Sequence, residues 1–130
     1  MTEVVQINTE MLTRRIRLAL PRYSYRFANE VQLHAGLAQA LEAEGIRFER
    51  EYVLGADRFD FLCDGRIVLE AKVDGSMSAA LRQAERYCRH EVVEAVIVVS
   101  SRAWRGVSAE RSITFHAKPV HLIHVRGQAF

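Results

Sequence analysis

The spacing of apolar residues along the chain predicts helices that alternate with strands. Apolar positions recur at helical spacing after Phe27, and Gly45 provides a stop for that helix. Turn residues interrupt the strands at Asp64-Gly65 and again at 74–76, where Ser76 is a candidate helix N-cap. In chain order we predict a helix over 27–44, strands over 48–54, 58–63 and 66–73, a helix over 77–90, and strands over 92–100 and 119–125.

Two segments give weaker patterns. Residues 1–25 are basic and predict a strand or a short helix before Pro21. A polar loop containing Trp104 separates the last two strands, and a short helix within it is left open. We favour a Trp104 that caps the core, with stacking on DNA beside Arg102 and Arg105 as the alternative.

The strand at 92–100 decides the fold class. Its run Val-Val-Glu-Ala-Val-Ile-Val-Val is too continuously apolar for a half-exposed strand, so we expect it in the middle of a sheet. The hairpin at 58–73 is antiparallel, whereas the crossover helix makes the next strand parallel to its neighbour. The predicted fold is α/β, a single domain with a mixed central β-sheet flanked by helices, in the order αβββαβ.

Length and composition predict one domain covering residues 1–130, of which 49% are apolar. We divide it into a basic N-terminal extension (1–25), a core (26–100) and a C-terminal loop and strand (101–130). No stretch approaches the roughly 18 apolar residues of a membrane span, and Met1 opens no signal-like segment, so we expect a cytoplasmic protein. Cys63 and Cys88 have neither disulfide-framework nor zinc-site spacing, which favours two reduced buried thiols.

The hairpin at 58–73 carries the strongest chemical signal. Successive strand residues point to opposite faces, so Glu70 and Lys72 share one face and the apolar residues of that strand share the other. The Asp64-Gly65 turn folds Asp60 back toward Glu70. Charged groups on an otherwise apolar strand need compensation, and two carboxylates beside a lysine suggest a metal ion.

The pattern Asp60, nine residues, then Glu70-Ala71-Lys72 resembles the core of the PD-(D/E)xK nucleases, with Phe59 where Pro is common. The resemblance implies that Asp60, Glu70 and the Ala71 carbonyl hold Mg²⁺ or Mn²⁺, and that Lys72 orients or activates the attacking water. It also implies the αβββαβ core of restriction-endonuclease-like folds. The alternative is a surface hairpin with an ordinary Glu–Lys ion pair, which contributes little to stability.

Helix residues extend the resemblance. Glu30 lies on the predicted apolar stripe, and an inward-facing Glu is expected to be paired or metal-linked. In many of these nucleases a Glu of the first core helix completes the metal site, while pairing with His34 is the alternative. Gln83 and Tyr87 stand four residues apart, a spacing similar to the Gln-x-x-x-Tyr motif of the lambda-exonuclease and RecB-like branch, where it lines the active site or contacts DNA.

Arginines supply candidate phosphate contacts. The chain has a net charge of +2, and only Lys72 and Lys118 of its 18 basic residues are lysines. Clusters of basic residues suit sequence-independent contacts with the phosphates of a nucleic-acid backbone. The candidates are an acid-free run that includes Arg14, Arg15, Arg17, Arg22 and Arg26, and a helix face with Arg82, Arg86 and Arg89.

The sequence therefore predicts a metal-dependent DNA nuclease, structure-selective or end-processing rather than sequence-specific. Holliday-junction-resolvase-like and exonuclease-like substrates stay open, and we expect DNA as partner, a homodimer and no membrane. The alternative function is a catalytically idle DNA-binding or assembly protein that retains the nuclease fold. A plain structural α/β domain is a further alternative.

Overall fold

A mixed six-stranded sheet organises the computed structural model, which describes residues 8–104 and 112–127. The helices are α1 (Thr9–Ala19), α2 (Glu30–Ala43) and α3 (Met77–Tyr87), with a 3₁₀ turn at Leu20–Arg22. The strands are β1 (Ser24–Tyr25), β2 (Phe48–Leu54), β3 (Asp57–Cys63), β4 (Ile67–Lys72), β5 (Ala95–Ser100), β6 (Ser112–Phe115), β7 (Lys118–His124) and β8 (Arg126–Gly127).

The strand order is β2-β3-β4-β5-β7-β6, and β1 and β8 form a separate parallel pair. β2, β3 and β4 are antiparallel neighbours, whereas β4, β5 and β7 run parallel. α3 makes the crossover between β4 and β5, as its place between two parallel strands requires. The predicted single α/β domain with a mixed central sheet is confirmed.

Two apolar cores cover the two faces of the sheet. α1 and α2 pack on one face, where Leu33, Leu37 and Leu41 meet Leu69 among other buried residues. α3 packs on the other face through residues that include Ala80, Ala84 and Tyr87. β5 supplies side chains alternately to both cores, and all six of its residues are buried. Its continuous apolar sequence follows from that central position, as predicted.

Local signals set the turns and the helix starts. Asp64 and Gly65 have φ angles of 51° and 70°, and the Arg66 amide donates to the Cys63 carbonyl at 3.1 Å. This is the predicted two-residue hairpin turn, whose two central residues require positive φ. The Ser76 hydroxyl accepts a hydrogen bond from the Ala79 amide, which confirms the predicted N-cap of α3.

Helix ends differ from the prediction by a few residues. α2 begins at Glu30, because the Asn29 side chain caps it by accepting from the Gln32 amide. The apolar spacing alone extended that helix back to Phe27. α3 ends at Tyr87 and β5 begins only at Ala95, after a short irregular connection.

The basic lead-in and the C-terminal region hold the elements that the apolar pattern left open. α1 packs on the core through Leu12 and Ile16, so residues 9–25 belong to the domain rather than extending from it. β6 was expected to be loop and instead pairs with β7 through a turn at His116-Ala117. That turn has positive φ at both residues but no glycine, which removes the usual hairpin signal.

Trp104 packs against the α3-side core, which agrees with the favoured interpretation. The following part of the predicted loop, including Arg105, lies outside the described residues. Over the described ranges, no helix is long and apolar enough to cross a membrane.

Substitution of Gly36 tests how tightly α2 packs against Tyr25. A Cβ at this position would lie 2.8 Å from Cδ1 of Tyr25, whose buried hydroxyl donates to the Leu20 carbonyl. Helix propensity favours Ala over Gly by about 1 kcal/mol, but overpacking a fixed ring costs about 1–3 kcal/mol. We therefore expect Gly36→Ala to lower the free energy of unfolding, measured by urea denaturation.

Ala35→Gly is the matched control, because Ala35 is exposed in the same helix. Ala35→Gly changes only the helix propensity, and it should lower the free energy of unfolding by about 1 kcal/mol. An increase in stability of Gly36→Ala would show that Tyr25 moves freely and does not hold the helix.

Candidate active site at the open end of the β3–β4 hairpin

The ladder of main-chain pairs between β3 and β4 ends at Asp60 and Glu70. Their ladder pairs Cys63 with Ile67, Leu62 with Val68, and Phe61 with Leu69, and then ends although both strands continue. Past this point the Asp60 amide donates to Glu70 Oε1 at 2.9 Å, and the Ala71 amide donates to Asp60 Oδ2 at 2.8 Å. Each carboxylate thus takes the place of a main-chain acceptor, and both are held in the gap between the strands.

A distortion of β2 and β3 accompanies this opening. Arg50 pairs with Phe61 and Tyr52 with Phe59, but Glu51 and Asp60 between them form no ladder pair, and Glu51 has a φ of 51°. Phe61 lies in the α2-side core, whereas Phe59 lies in the α3-side core. In a regular strand these two residues would share a face. The alternation of side chains between the two faces of β3 is therefore interrupted at Asp60, which changes the direction in which the Asp60 side chain points.

The predicted cluster of Asp60, Glu70 and Lys72 is formed. Glu70 is buried, with 3% of the residue exposed, and Lys72 Nζ lies 3.8 Å from its Oε2. As predicted, Glu70 and Lys72 face away from the core that holds Leu69 and Ala71. The lysine is thus close enough to act on the same bound group as the two carboxylates.

The sequence offered His34 only as an alternative partner of Glu30, but the structure places it beside Asp60. It projects from α2, its Nε2 lies 3.3 Å from Asp60 Oδ2, and its ring contacts Phe61 with a centroid separation of 5.7 Å. The contact is at ion-pair distance without hydrogen-bond alignment, so the buried Nε2 has no hydrogen-bond partner in the described part of the chain. Its spacing from Asp60 carries no motif, and only the position four residues after Glu30 pointed to it.

The two acids have opposite electrostatic surroundings. Burial, assisted by the charge of Asp60, raises the pKa of Glu70 to about 8. Burial also opposes ionisation of Asp60, but the nearby His34 imidazole and the hydrogen bond from the Ala71 amide prevail and lower its pKa. The same contact with Asp60 raises the pKa of His34, and the charge of Glu30 adds to it. The surroundings of the pair thus favour the protonated form of Glu70 and the ionised form of Asp60.

Glu30 is not on the buried stripe of α2, which corrects the prediction. It is the first residue of the helix and is exposed, and the neighbouring Val31 is 77% exposed. Leu33, Leu37 and Leu41 set the phase of the buried face instead. Glu30 lies one turn before His34 and raises the pKa of that imidazole, so it belongs to the rim of the site. Its participation in a metal site stays a prediction.

α3 brings polar groups next to Lys72. Lys72, Ser76, Arg82, Gln83 and Arg86 are among the residues that line a cavity of about 340 Å³ between the end of β4 and this helix. Gln83 thus shares a cavity with Lys72, and its predicted role in the active site stays a prediction. Its neighbour Lys72 is partly exposed, with 22% of the side chain accessible, so the amine of the cluster is open to the cavity.

Tyr87 does not form part of this surface, contrary to the prediction of a nucleic-acid contact. Only 2% of the residue is exposed, and its ring packs edge-on to Phe59 with centroids 4.8 Å apart. Its hydroxyl donates to the Arg58 carbonyl at 3.2 Å. Tyr87 instead packs within the α3-side core.

The arginine clusters are partly neutralised by acids distant in sequence. Arg86 donates to Asp57 at 2.8 Å, and Arg89 pairs with Glu85 at 2.8 Å. Arg82 is exposed and forms no ion pair with the described residues. In the acid-free run, Glu44 at the end of α2 pairs with Arg22 at 3.6 Å, and its carbonyl accepts from Arg15. Arg26 is exposed.

Asp57, Arg86 and His90 form a network that no sequence motif indicates. His90 Nε2 lies 2.7 Å from Asp57 Oδ2, and its ring packs edge-on to Phe59. Burial opposes ionisation of Asp57, but Arg86 and His90 outweigh it and lower its pKa. This network ties the end of α3 to the start of β3, and it explains why Arg86 is not a freely available cation.

Among the described residues, no group of three or more His, Cys, Asp or Glu side chains is arranged to hold a metal ion. Comparison of the chain with protein-family models, with curated proteins and with solved structures gave no match in any of the three.

The raised pKa of Glu70 gives a pH-dependent prediction. The folded-state pKa of about 8 lies above the value of about 4.3 for an unfolded Glu, so stability is lost as pH rises through this interval. Glu70→Gln keeps an acceptor for the Asp60 amide but cannot ionise. In buffer with a chelator, we expect its unfolding free energy to exceed that of the unmutated protein by about 1–3 kcal/mol at pH 8.5.

Thermal and urea unfolding at pH 4.5 and pH 8.5 would measure this difference, which should nearly vanish at the lower pH. Glu49→Gln, at an exposed position on β2, is the control and should show little pH dependence. A Glu70→Gln advantage of equal size at both pH values would contradict a raised pKa.

Proposed function

We propose that this protein is a metal-dependent DNA nuclease of the PD-(D/E)xK type. The observation that carries the proposal is the convergence of Asp60 and Glu70 at the open end of the hairpin, with Lys72 3.8 Å from Glu70. The order α2, β2, β3, β4, α3, β5 supports it, because αβββαβ is the core order of that family. A restriction-endonuclease-like core is thus part of the proposal.

The donor atoms suit a hard divalent cation. Asp60 and Glu70 offer carboxylate oxygens, and the Ala71 carbonyl lies between Glu70 and Lys72 in the chain. Mg²⁺ takes oxygen ligands and is usually held by one or two carboxylates while it keeps several waters. Two acids without a third protein side chain therefore fit Mg²⁺ or Mn²⁺. Such a cation, when bound, lowers the pKa of a water and stabilises charge on a phosphate.

The surrounding residues have distinct tasks in this proposal. Lys72 orients the attacking water and counters negative charge that develops on the phosphate. His34 positions Asp60 through the 3.3 Å contact to its carboxylate. Arg82 and Gln83, which line the cavity beside Lys72, contact the nucleic-acid strand, with Arg82 on a backbone phosphate.

In this proposal, the DNA substrate depends on whether one or two active sites act together. Met11 and Leu18 of α1 are 59% and 61% exposed, and this apolar exposure supports a contact between two copies of the chain, with the neighbouring arginines at its rim. A homodimer with two sites on opposite strands suits a four-way junction, whereas a monomer suits DNA ends or single strands. We propose structure-selective or end-processing cleavage, since phosphate contacts alone carry no base readout.

Asp60→Asn tests the chemistry. It preserves the shape of the side chain but removes the charge, so metal-dependent cleavage should fall by about 100-fold or more while DNA binding is retained. Purified protein is incubated with labelled linear duplex, single-stranded and four-way-junction DNA, with Mg²⁺, with Mn²⁺ and with a chelator. Cleavage products are resolved on denaturing gels, and binding is followed by fluorescence anisotropy.

Asp64→Asn is the matched control, because it makes the same change at the opposite end of the same hairpin, where Asp64 pairs with Arg47 and Arg66. It should cleave at the unmutated rate. Binding without cleavage of any substrate would instead favour the idle DNA-binding protein. Cleavage by Asp60→Asn at the unmutated rate would exclude Asp60 from the reaction.

Arg82 and Arg89 allow a paired test of the DNA surface. Both are exposed arginines on α3, but only Arg89 is neutralised, by Glu85. Arg82→Gln should weaken binding to all DNA sequences and lower the slope of log affinity against log salt by about one. Arg89→Gln should change that slope much less. Titrations over a series of salt concentrations measure both, and equal slopes for the two variants would contradict a phosphate contact at Arg82.

A further inference from the structure

A second cleft lies between α1 and the strands β6 and β7. Its volume is about 640 Å³, within the range of small-molecule sites. Residues that line it include Thr9, Thr13, Arg17, Glu94, Ser112 and His121. The cleft is on the α1 face of the sheet, whereas Glu70 and Lys72 face the α3 side.

This cleft is also at the other end of the sheet from the candidate active site. Glu94 directly precedes β5, and Ala95 pairs with Ile67 at the start of β4. Lys72 pairs with Ser100 at the far end of the same two strands, about 17 Å away at the usual rise per residue. The cleft is therefore separate from the proposed metal site and from the surface of Arg82 and Gln83 proposed to contact DNA.

Two polar atoms in the cleft wall are buried without partners. Thr13 Oγ1 and His121 Nδ1 are inaccessible to solvent and have no hydrogen-bond partner among the described residues. The two residues are only 4% and 9% exposed. Leaving such a group unsatisfied costs about 1–3 kcal/mol, and native proteins pair the great majority of them. Both residues line the same cleft, so a ligand bound there lies next to both side chains.

The charges around these atoms are separated along α1. Arg14 and Arg17 follow Thr13 toward the C-terminal half of the helix, whereas Glu10 lies in its first turn. Glu94 lies beside that first turn and accepts a hydrogen bond from the Thr9 hydroxyl at 2.8 Å. One end of the cleft thus favours an anionic group, and the other favours hydroxyl or amino donors.

His121 also favours an anionic group at the arginine end of the cleft. It is buried beside Arg17, and burial, with the charge of Arg17, lowers its pKa to about 4. The ring is therefore neutral at physiological pH and can donate a single hydrogen bond from Nδ1. A hydroxyl and an imidazole beside guanidinium groups are common ligands of phosphate oxygens.

We propose that the cleft between α1 and β7 binds a small phosphate monoester that carries hydroxyl groups, with Thr13, His121 and Arg17 on the phosphate and Glu94 toward the hydroxyls. The inference does not depend on nuclease activity. It assigns the chain a small-molecule site separate from the residues proposed to cut DNA.

Ribose 5-phosphate, inorganic phosphate and ribose are suitable probes, added one at a time to the full chain. Isothermal titration and thermal unfolding measure binding and the accompanying rise in Tm. Ribose 5-phosphate should bind most tightly and inorganic phosphate less so, because it lacks the hydroxyl contacts. Ribose alone should bind much more weakly than either, and saturable binding of ribose equal to that of ribose 5-phosphate would overturn a phosphate site.

Thr13→Val removes the unpartnered hydroxyl while keeping the side-chain shape. It should weaken ribose 5-phosphate binding by about 3- to 10-fold, as expected for one hydrogen bond. Thr114→Val, at an exposed position on β6, is the matched control and should bind normally. If Thr13→Val does not fold, His121→Gln supplies the same test. Undiminished binding by a folded variant, or no binding by the unmutated protein at millimolar ribose 5-phosphate, would overturn the proposal.

Discussion

The hydrogen bonds exchanged between two acids and two main-chain amides are the constraint on which this structure depends. Where the β3–β4 ladder stops, Asp60 accepts from the Ala71 amide and Glu70 accepts from the Asp60 amide. Main-chain groups left bare in a sheet interior are costly, so the strands can separate only if side chains replace the lost partners. The same two hydrogen bonds therefore allow β3 and β4 to separate and fix the positions of Asp60 and Glu70.

The rest of the sheet holds this opening in place. β5 pairs with β4 over six positions, including Glu70 and Lys72, and is buried on both faces. α3 then returns across the sheet and carries Gln83 and Arg82 to the side of Lys72. The Asp57, Arg86 and His90 network anchors the end of that helix to β3. Rigid elements on each side leave the acids little freedom to relax toward water.

That rigidity has an electrostatic consequence. Asp60 is compensated by His34 and the Ala71 amide, whereas at Glu70 burial and the charge of Asp60 outweigh the Asp60 amide and Lys72, raise the pKa and favour the form that holds a proton. A buried acid with a raised pKa beside an ionised one lowers stability, and such arrangements are concentrated at functional sites. The proposed cation would take the place of that proton, which connects the strain to the proposed chemistry.

The sequence by itself determined the parts of this protein that local chemistry encodes. Period-two spacing put Glu70 and Lys72 on one face, Asp64-Gly65 closed the hairpin, and the apolar run of β5 marked the centre of the sheet. The tertiary structure alone decided which distant side chains meet. His34 reaches Asp60, and Asp57 neutralises Arg86, across intervals that carry no periodic signal.

The exposure of Glu30 and the burial of Tyr87 were likewise decided by packing. The Asn29 cap starts α2 and leaves Glu30 at its exposed first turn, while the ring of Phe59 gives Tyr87 a buried neighbour. A spacing of three or four residues says that side chains share a helix face, but not whether that face meets solvent or another element. Only the packing of helices on the sheet supplies that information.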